Sequence, residues 1–226
     1  MKTQQTNKTQ IFIKCLLLIT LVTNMRVQAQ QDIAFQKYNY QIDNNIKIQI
    51  QHDYQNVSSF FAEAYKSYPT IRQGVLETIA YNYTHFSSNL PTDTNETDVT
   101  AIPRTYSVMG LTLHGKGVFR ENLRLVSQLS GVSVDSIVAN PRSAIIAYAA
   151  AFAHLQRQYH CYGDSVELYK SVFIALSELP LHKSPVDEFA LNSSLYVIYL
   201  FLQDGNSVSY HVPRRTVNLS QVFGSQ

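Results

Sequence analysis

The feature that most restricts the fold is a long alanine-rich segment that follows Asn140 and Pro141. Asn caps helix N-termini and Pro is favoured at the first helical position, so the pair predicts a helix start. Large apolar residues recur after it at helical spacing: Ile145, Tyr148, Phe152, Leu155 and Tyr159. Because the surrounding alanines are small, we expect neighbouring helices to approach this one closely at the centre of a domain.

Several further segments carry helical periodicity with start or stop residues at their ends. The predicted boundaries are a stop at Pro69, a capping box at Thr70 and Gln73, a stop at Gly131, a cap at Asp164 and Glu167, a start at Ser184 and Pro185, and a stop at Gly205. No alternation of strands with helices and no repeat of fixed period is present. The sequence therefore predicts one all-α domain over residues 54–206.

The N-terminus has the three parts of a secretory signal peptide. Lys2, Lys8 and Lys14 precede a short apolar run, and Ala29 ends a small-residue cleavage site. The run is shorter than the roughly 20 residues that a bilayer span needs. We therefore expect cleavage after residue 29, a periplasmic or secreted location and no membrane span afterwards. Residues 30–53 are interpreted as an arm or short strand, and residues 207–226 as a C-terminal tail.

The composition argues against nucleic acid as a partner and against a disulfide as a source of stability. Removing residues 1–29 takes away four of the 18 basic residues and no acidic one, which leaves a charge of −2. A chain without a basic block is not expected to bind nucleic acid. Only Cys161 remains of the two cysteines, so no disulfide forms within the domain, and the apolar core must stabilise it alone.

Motifs for metal, nucleotide or nucleophilic chemistry are weak. His154, His160 and Cys161 are zinc-ligand types, but the two histidines are six residues apart and fall on different helix faces. The glycines of residues 110–116 have phosphate-loop spacing, but Gly117 replaces the required Ser or Thr. We expect no metal and no cofactor, with the histidines in ordinary core or surface roles and the glycines in a turn.

Three blocks together resemble goose-type lysozymes and lytic transglycosylases, which cleave the glycan strands of peptidoglycan. Residues 79–86, Ile-Ala-Tyr-Asn-Tyr-Thr-His-Phe, resemble the family's helix apolar-Ala-x-x-Glu-Ser-x-Phe. Residues 107–113 resemble its Gly-Ala-Met-Gly-Leu-Met-Gln block around Met109 and Gly110, and Asn140 resembles its third block. The resemblance covers residues 57–204 and implies an all-α, lysozyme-like helical domain.

The same alignment places Tyr83 where that family has its catalytic Glu, and Leu113 where it has a sugar-binding Gln. A tyrosine, with a pKa near about 10, is a poor replacement for a carboxylic acid as proton donor. Glu77, a weak catalytic candidate, lies about 240° around the helix from Tyr83. It falls off the apolar stripe, so we expect it to be exposed. The resemblance thus implies the fold without the catalytic acid.

A closer resemblance is to the N-terminal, lysozyme-like module of secreted bacterial N-acetylmuramoyl-L-alanine amidases. Residues 106–123 follow that module's pattern Tyr-x-Val-Met-Gly-Leu-x-x-x-Gly-Lys-Gly-x-Phe-Arg-x-Asn-Leu. In such proteins a zinc amidase domain follows the module. This sequence ends before such a domain and lacks its zinc ligands, so the resemblance implies that amide cleavage belongs to a part not contained here.

The chemistry of the residues favours a glycan-binding groove between the second predicted helix, residues 106–117 and the polar loop before them. The alternative interpretation is that these residues only pack the loop. Aromatic side chains stack on sugar rings, and the polar ends of side chains form hydrogen bonds with sugar hydroxyls. The candidate glycan-binding residues are Asn82, Tyr83, His85, Arg104, Tyr106, Met109, Gly110 and His114. Three hypotheses stay open: a non-catalytic peptidoglycan-binding module of an amidase, an active glycosidase using Glu77 or the loop acids Asp93, Glu96 or Asp98, and an exported scaffold without glycan affinity.

Overall fold

A computed structural model describes residues 43–88, 103–114, 118–181 and 184–224. Ile50–Gln226 forms one compact unit, and only the helical residues 43–49 of the preceding unit are described. The described chain is mostly helical, as the sequence predicted. Within this part, no helix is both long and apolar enough to cross a membrane.

The elements follow one another along the chain with a single small sheet among the described residues. They are α1 (residues 43–67), α2 (Val75–Thr84), β1 (Thr105–Tyr106), β2 (Leu111–Thr112), α3 (Asn122–Ser130), α4 (Val134–Ala139), α5 (Pro141–Gln158), a 3-10 turn (Val166–Tyr169), α6 (Lys170–Leu176), α7 (Pro185–Asp204) and α8 (Leu219–Phe223). The strands pair antiparallel, with Thr105 opposite Thr112 and Tyr106 opposite Leu111.

The alanine-rich helix α5 lies at the centre of the compact unit. Its predicted start is confirmed, because the Asn140 side chain accepts hydrogen bonds from the backbone N–H groups of Arg142 (2.9 Å) and Ser143 (3.2 Å). Five of its six alanines are buried, and α3, α4 and α6 pack around it. The buried alanines are Ala144, Ala147, Ala149, Ala151 and Ala153.

Two other predicted boundaries are confirmed for the same local reason. The Ser184 hydroxyl accepts from the Asp187 N–H at 3.2 Å, and Pro185 is the first residue of α7. Gly131 ends α3 in the left-handed conformation, with φ 74°. These caps depend on residues within a few positions of each other, which is why the sequence alone predicts them.

The structure corrects the prediction for the start of α2. Gly74, with φ 86°, precedes the helix, and the predicted capping box is wrong because the Thr70 hydroxyl donates instead to Gln156 Oε1 at 3.0 Å. A Cβ at Gly74 would lie 2.9 Å from Pro213 Cδ. Packing against a distant segment therefore fixes where α2 begins.

Two other local predictions are wrong. Residues 43–53, expected to form an arm or short strand, are helical. Asp164 does not cap a helix but pairs with Arg72, while Glu167 accepts from the Ser165 hydroxyl. A 3-10 turn precedes α6 at this place, and long-range partners have replaced the local cap.

Residues after 206, predicted to be a separate tail, belong to the core. Tyr210, Val212, Val217 and Val222 are buried. The Tyr54 hydroxyl also lies 2.8 Å from Nδ1 of His211. The compact unit therefore extends past the predicted boundary at residue 206.

Candidate functional site

The end of α2 is held directly against the turn that joins β1 to β2. The Thr84 hydroxyl donates to the Val108 carbonyl at 2.7 Å and to the Ala80 carbonyl of its own helix at 2.9 Å. His85 then ends the helix in the left-handed conformation, with φ 52°. The two blocks that carry the sequence resemblance, residues 79–86 and 107–113, are thus in contact.

Gly110 makes this contact closer than any other residue type would allow. Its φ is +64°, and a Cβ there would lie only 2.5 Å from Tyr83 Cβ and 3.3 Å from Thr84 Cγ2. Both the backbone conformation and the space require glycine. The backbone of the turn therefore lies directly against the side chain of Tyr83.

Tyr83 lies in a half-buried polar cluster formed by three helices and the segment after α6. Its hydroxyl interacts with Glu178, Ser177 and Ser194, and Tyr148 of α5 lies within electrostatic reach. Burial raises the pKa of Tyr83 well above its usual value, and the charge of Glu178 raises it further. Tyr83 therefore stays protonated over the physiological range.

Glu178 is the acid that the sequence reasoning missed. Burial raises the pKa of its carboxyl, while Tyr83, Arg120 and Ser177 oppose that shift. Its Oε2 atom is buried without a hydrogen-bond partner among the described residues. Glu178 follows α6 in a short Ser-Glu-Leu-Pro stretch, where no periodicity indicates burial, and its partners are distant in sequence.

Arg120 holds the segment that carries Glu178. Its guanidinium donates to the carbonyls of Ile174, Ala175 (3.3 Å), Ser177 and Leu179 (2.8 Å). Its backbone N–H donates to the Glu178 carbonyl at 2.7 Å. A cation at a helix C-terminus satisfies unpaired carbonyls and the negative end of the helix dipole, so Arg120 caps α6.

Asn122 makes a second link to the same helix. Its amide nitrogen donates to the Leu176 carbonyl at 2.8 Å, and its oxygen accepts from the Thr112 N–H at 2.7 Å. Arg120 and Asn122 both belong to the stretch that resembles the amidase module. Their observed role is structural, because their hydrogen bonds connect β2 and the start of α3 to the C-terminal end of α6.

Glu77 is buried, so the prediction that it is exposed was wrong. Only 3% of its surface is accessible, and it accepts a hydrogen bond from the Tyr65 hydroxyl of α1. Burial raises the pKa of Glu77 to about 7. The six residues from Val75 to Ala80 are all buried, so the first part of α2 is enclosed on every side. An argument that assumes one buried face and one exposed face therefore does not apply to Glu77.

Glu77 and Tyr83 point at different neighbours, in agreement with their 240° separation along the helix. Glu77 contacts Tyr65 of α1, whereas Tyr83 contacts Glu178. A substrate at the Tyr83 end of α2 would therefore not meet the Glu77 carboxyl.

The predicted glycan-binding residues do not share one surface. Met109 is 1% exposed and Gly110 is buried, which removes the Met109 side chain from any groove. His85 is exposed and packs edge-on against Tyr81, which faces Phe201 at 4.5 Å, on the other side of α2 from Tyr83. The partly exposed candidates are Asn82, Tyr83, Arg104, Tyr106 and His114.

Asn82 also forms a hydrogen bond within its own helix, since its amide nitrogen donates to the Thr78 carbonyl at 2.8 Å.

The loop acids Asp93, Glu96 and Asp98 lie outside the described residues. In the described ranges no three His, Cys, Asp or Glu side chains are grouped so that they would hold a metal ion. The described part of the site is thus a hydroxyl-rich and aromatic surface with one enclosed acid.

No family model, curated protein or solved structure matches this chain.

Proposed function

We propose that this chain is a lysozyme-like helical module that binds the glycan strands of peptidoglycan without cleaving them. The binding surface is the junction of the α2 C-terminus with the β1–β2 hairpin. By the resemblance of residues 106–123, the module belongs to proteins that carry an N-acetylmuramoyl-L-alanine amidase domain. The predicted signal peptide places it in the periplasm or outside the cell.

The close contact between the Gly110 turn and Tyr83 is the main observation that supports the proposal. In the resembled family, the corresponding helix carries the catalytic Glu, and the corresponding glycine-containing block carries a Gln that helps bind the sugar chain. Here Tyr83 and Tyr106 are partly exposed at this junction, and His114 and Arg104 are half-buried on the hairpin side. Aromatic rings beside polar side chains suit a sugar, which has apolar faces and hydroxyl edges.

The absence of an available acid among the described residues favours binding over cleavage. Glycoside cleavage needs a carboxylic acid within reach of the leaving oxygen. Tyr83 stands at the family's acid position and engages Glu178, whose Oε2 is enclosed. Glu77 faces α1 instead.

An active glycosidase is the second candidate, supported by one observation. The pKa of Glu178 is raised by burial, as is typical of a general acid, and the carboxyl lies beside Tyr83. Its enclosed oxygen argues against direct transfer of a proton to substrate. An exported scaffold without glycan affinity is the remaining alternative.

A pair of tyrosine variants tests the binding surface. We expect Tyr106→Ala in the chain of residues 30–226 to weaken binding to purified insoluble peptidoglycan by roughly tenfold, because a stacking ring is lost. Tyr162 is 51% exposed and lies after α5, away from the hairpin in sequence, so Tyr162→Ala is the matched control. Equal binding by the two variants would contradict the location of the surface.

A further inference from the structure

The segment between α7 and α8, residues 206–217, has no helix of its own, and we call it the strap. Its internal link is an antiparallel bridge between Asn206 and Val212. Val212 is fully buried, and Tyr210 packs edge-on against Tyr54 of α1, with the ring centroids 5.4 Å apart. Contacts with other elements therefore hold the strap in place.

The strap covers the start of α2. Pro213 Cδ lies 2.9 Å and Val212 Cα 3.0 Å from the position that a Cβ on Gly74 would take. The Arg215 guanidinium donates to the carbonyl of Gln73 at 2.6 Å. The strap thus contacts two successive residues directly before the first turn of α2.

The buried carboxyl of Glu77 is bound to the same glycine. It accepts a hydrogen bond from the Gly74 N–H and another from the Tyr65 hydroxyl. That hydroxyl in turn accepts from the Leu76 N–H at 3.0 Å. Gly74 is the N-cap of α2, so Glu77 occupies the third-position acid of a capping box. The residue that the strap covers is therefore one that holds the carboxyl.

No positive charge balances Glu77 when it ionises. In the described part of the chain, its carboxyl is held by Tyr65 and backbone N–H groups, without a Lys or Arg. Arg72 pairs with Asp164, and Arg215 donates to a backbone carbonyl. A buried carboxylate without a cation is unfavourable, so the ionised form favours an arrangement that admits water.

The other titratable groups at this place connect Glu77 to the strap. From α1, the buried Tyr54 is close enough for the charge of Glu77 to raise its pKa, in addition to the effect of burial. The Tyr54 hydroxyl lies 2.8 Å from Nδ1 of His211. The strap also carries Tyr210, which packs on Tyr54, and Arg214, which is exposed. Two separate contacts, at Gly74 and at Tyr54, thus join the strap to the surroundings of Glu77.

We propose that the strap is a pH-dependent cover, which stays closed on α1 and α2 while Glu77 is protonated and opens locally when Glu77 loses its proton. Opening admits water to the carboxylate while α5 and the rest of the core stay folded. Burial raises the pKa of Glu77 from 4.5 to about 7, so the closed form loses stability as pH rises between these values and changes little above them. The proposal does not depend on glycan binding.

Hydrogen–deuterium exchange of the chain of residues 30–226, followed by mass spectrometry, tests the proposal. The reporting amides are those of Tyr210, Val212 and Arg215, which donate to backbone carbonyls. After correction for the intrinsic pH dependence of exchange, we expect strap opening to be at least about tenfold greater at pH 8 than at pH 5. The amides of α5 should change by much less. An unchanged strap, or an equal change in α5, would overturn the proposal.

Three variants assign the effect. Glu77→Gln should remove most of the rise, whereas the surface variant Glu63→Gln should keep it. Tyr54→Phe keeps Glu77 but loses the contact with His211, so it should speed strap exchange at pH 5 about threefold or more and leave α5 unchanged. A rise that survives in Glu77→Gln, or a strap that Tyr54→Phe does not loosen, would contradict the proposed cover.

Discussion

At the scale of single residues, the buried carboxyl of Glu77 makes stability depend on pH. Its carboxyl is buried against Tyr65 and has a folded pKa of about 7, raised from 4.5 by burial. Between these two values the unfolded chain releases the proton while the folded chain keeps it. The free energy of unfolding therefore falls as pH rises from about 4.5 to about 7, by roughly 3 kcal/mol in total.

Glu77→Gln should remove this part of the pH dependence. The amide keeps an oxygen that can accept from Tyr65 but never ionises, so we expect the variant to be more stable than the unchanged protein above pH 7. Its fall between pH 4.5 and 7 should be smaller by the Glu77 contribution, and the remainder comes from other groups such as Glu178. Urea unfolding at a series of pH values measures this. Glu63, which pairs with Arg142 on the surface, provides the control, because Glu63→Gln should leave the fall in place. An unchanged slope in Glu77→Gln would show that Glu77 is not the titrating group.

Local sequence predicts some residues of this chain well and others not at all. The cap at Asn140 follows from side chain and backbone groups three residues apart, so no knowledge of the fold is needed. The burial of Glu77 and Glu178 depends on partners from distant helices. No local signal indicates that Tyr83 and Glu178 meet, because they are 95 residues apart in the chain.

At the scale of elements, the contact between the hairpin turn and α2 depends on Gly110. We expect Gly110→Ala to lower the free energy of unfolding by about 2–4 kcal/mol, because it combines an unfavourable positive φ with a Cβ pressed against Tyr83. Gly131 also has a positive φ, but nothing lies within 4 Å of its Cβ position. Gly131→Ala should therefore cost only about 1 kcal/mol. Chemical denaturation of both variants checks the difference, and equal losses would mean that the close contact is unimportant.

The cap of α6 by Arg120 gives a second prediction at this scale. Arg120→Met leaves several carbonyls of the α6 C-terminus without a donor, so we expect a loss of about 2–4 kcal/mol in the free energy of unfolding. Arg124 is the control, since it pairs with Glu121 on the surface. Arg124→Met should change stability by less than about 1 kcal/mol. Similar losses in thermal denaturation would contradict the capping role.

The element boundaries show why local signals have limits. α5 and α7 begin where the sequence predicts, because each has its own cap and first-turn proline. α2 begins at Val75, directly after Gly74, instead of after Thr70, because Pro213 and Val212 pack against that glycine. The segment before α6 likewise follows its long-range bonds to Arg72 and Asn218 rather than a local capping box.

At the scale of the whole molecule, periodicity was enough to predict a mostly helical chain with the alanine-rich helix at its centre. Hydrophobic periodicity did not predict that residues 207–224 belong to the core. Short irregular segments, such as the one that contains the buried Val212, have no helical or strand periodicity. The proposed lysozyme-like fold and the proposed peptidoglycan partner rest on the resemblance of residues 79–86 and 106–123. Their contact through Thr84 and Val108 supports that interpretation.

One measurement tests the central claim most directly. The chain of residues 30–226 is incubated with purified insoluble peptidoglycan, and both the pelleted protein and the soluble sugar fragments are measured. We predict that the protein pellets with peptidoglycan and that no fragments are released above the level of a Glu178→Gln variant. Fragment release that Glu178→Gln abolishes would contradict the non-catalytic role, and failure to pellet would contradict glycan binding itself.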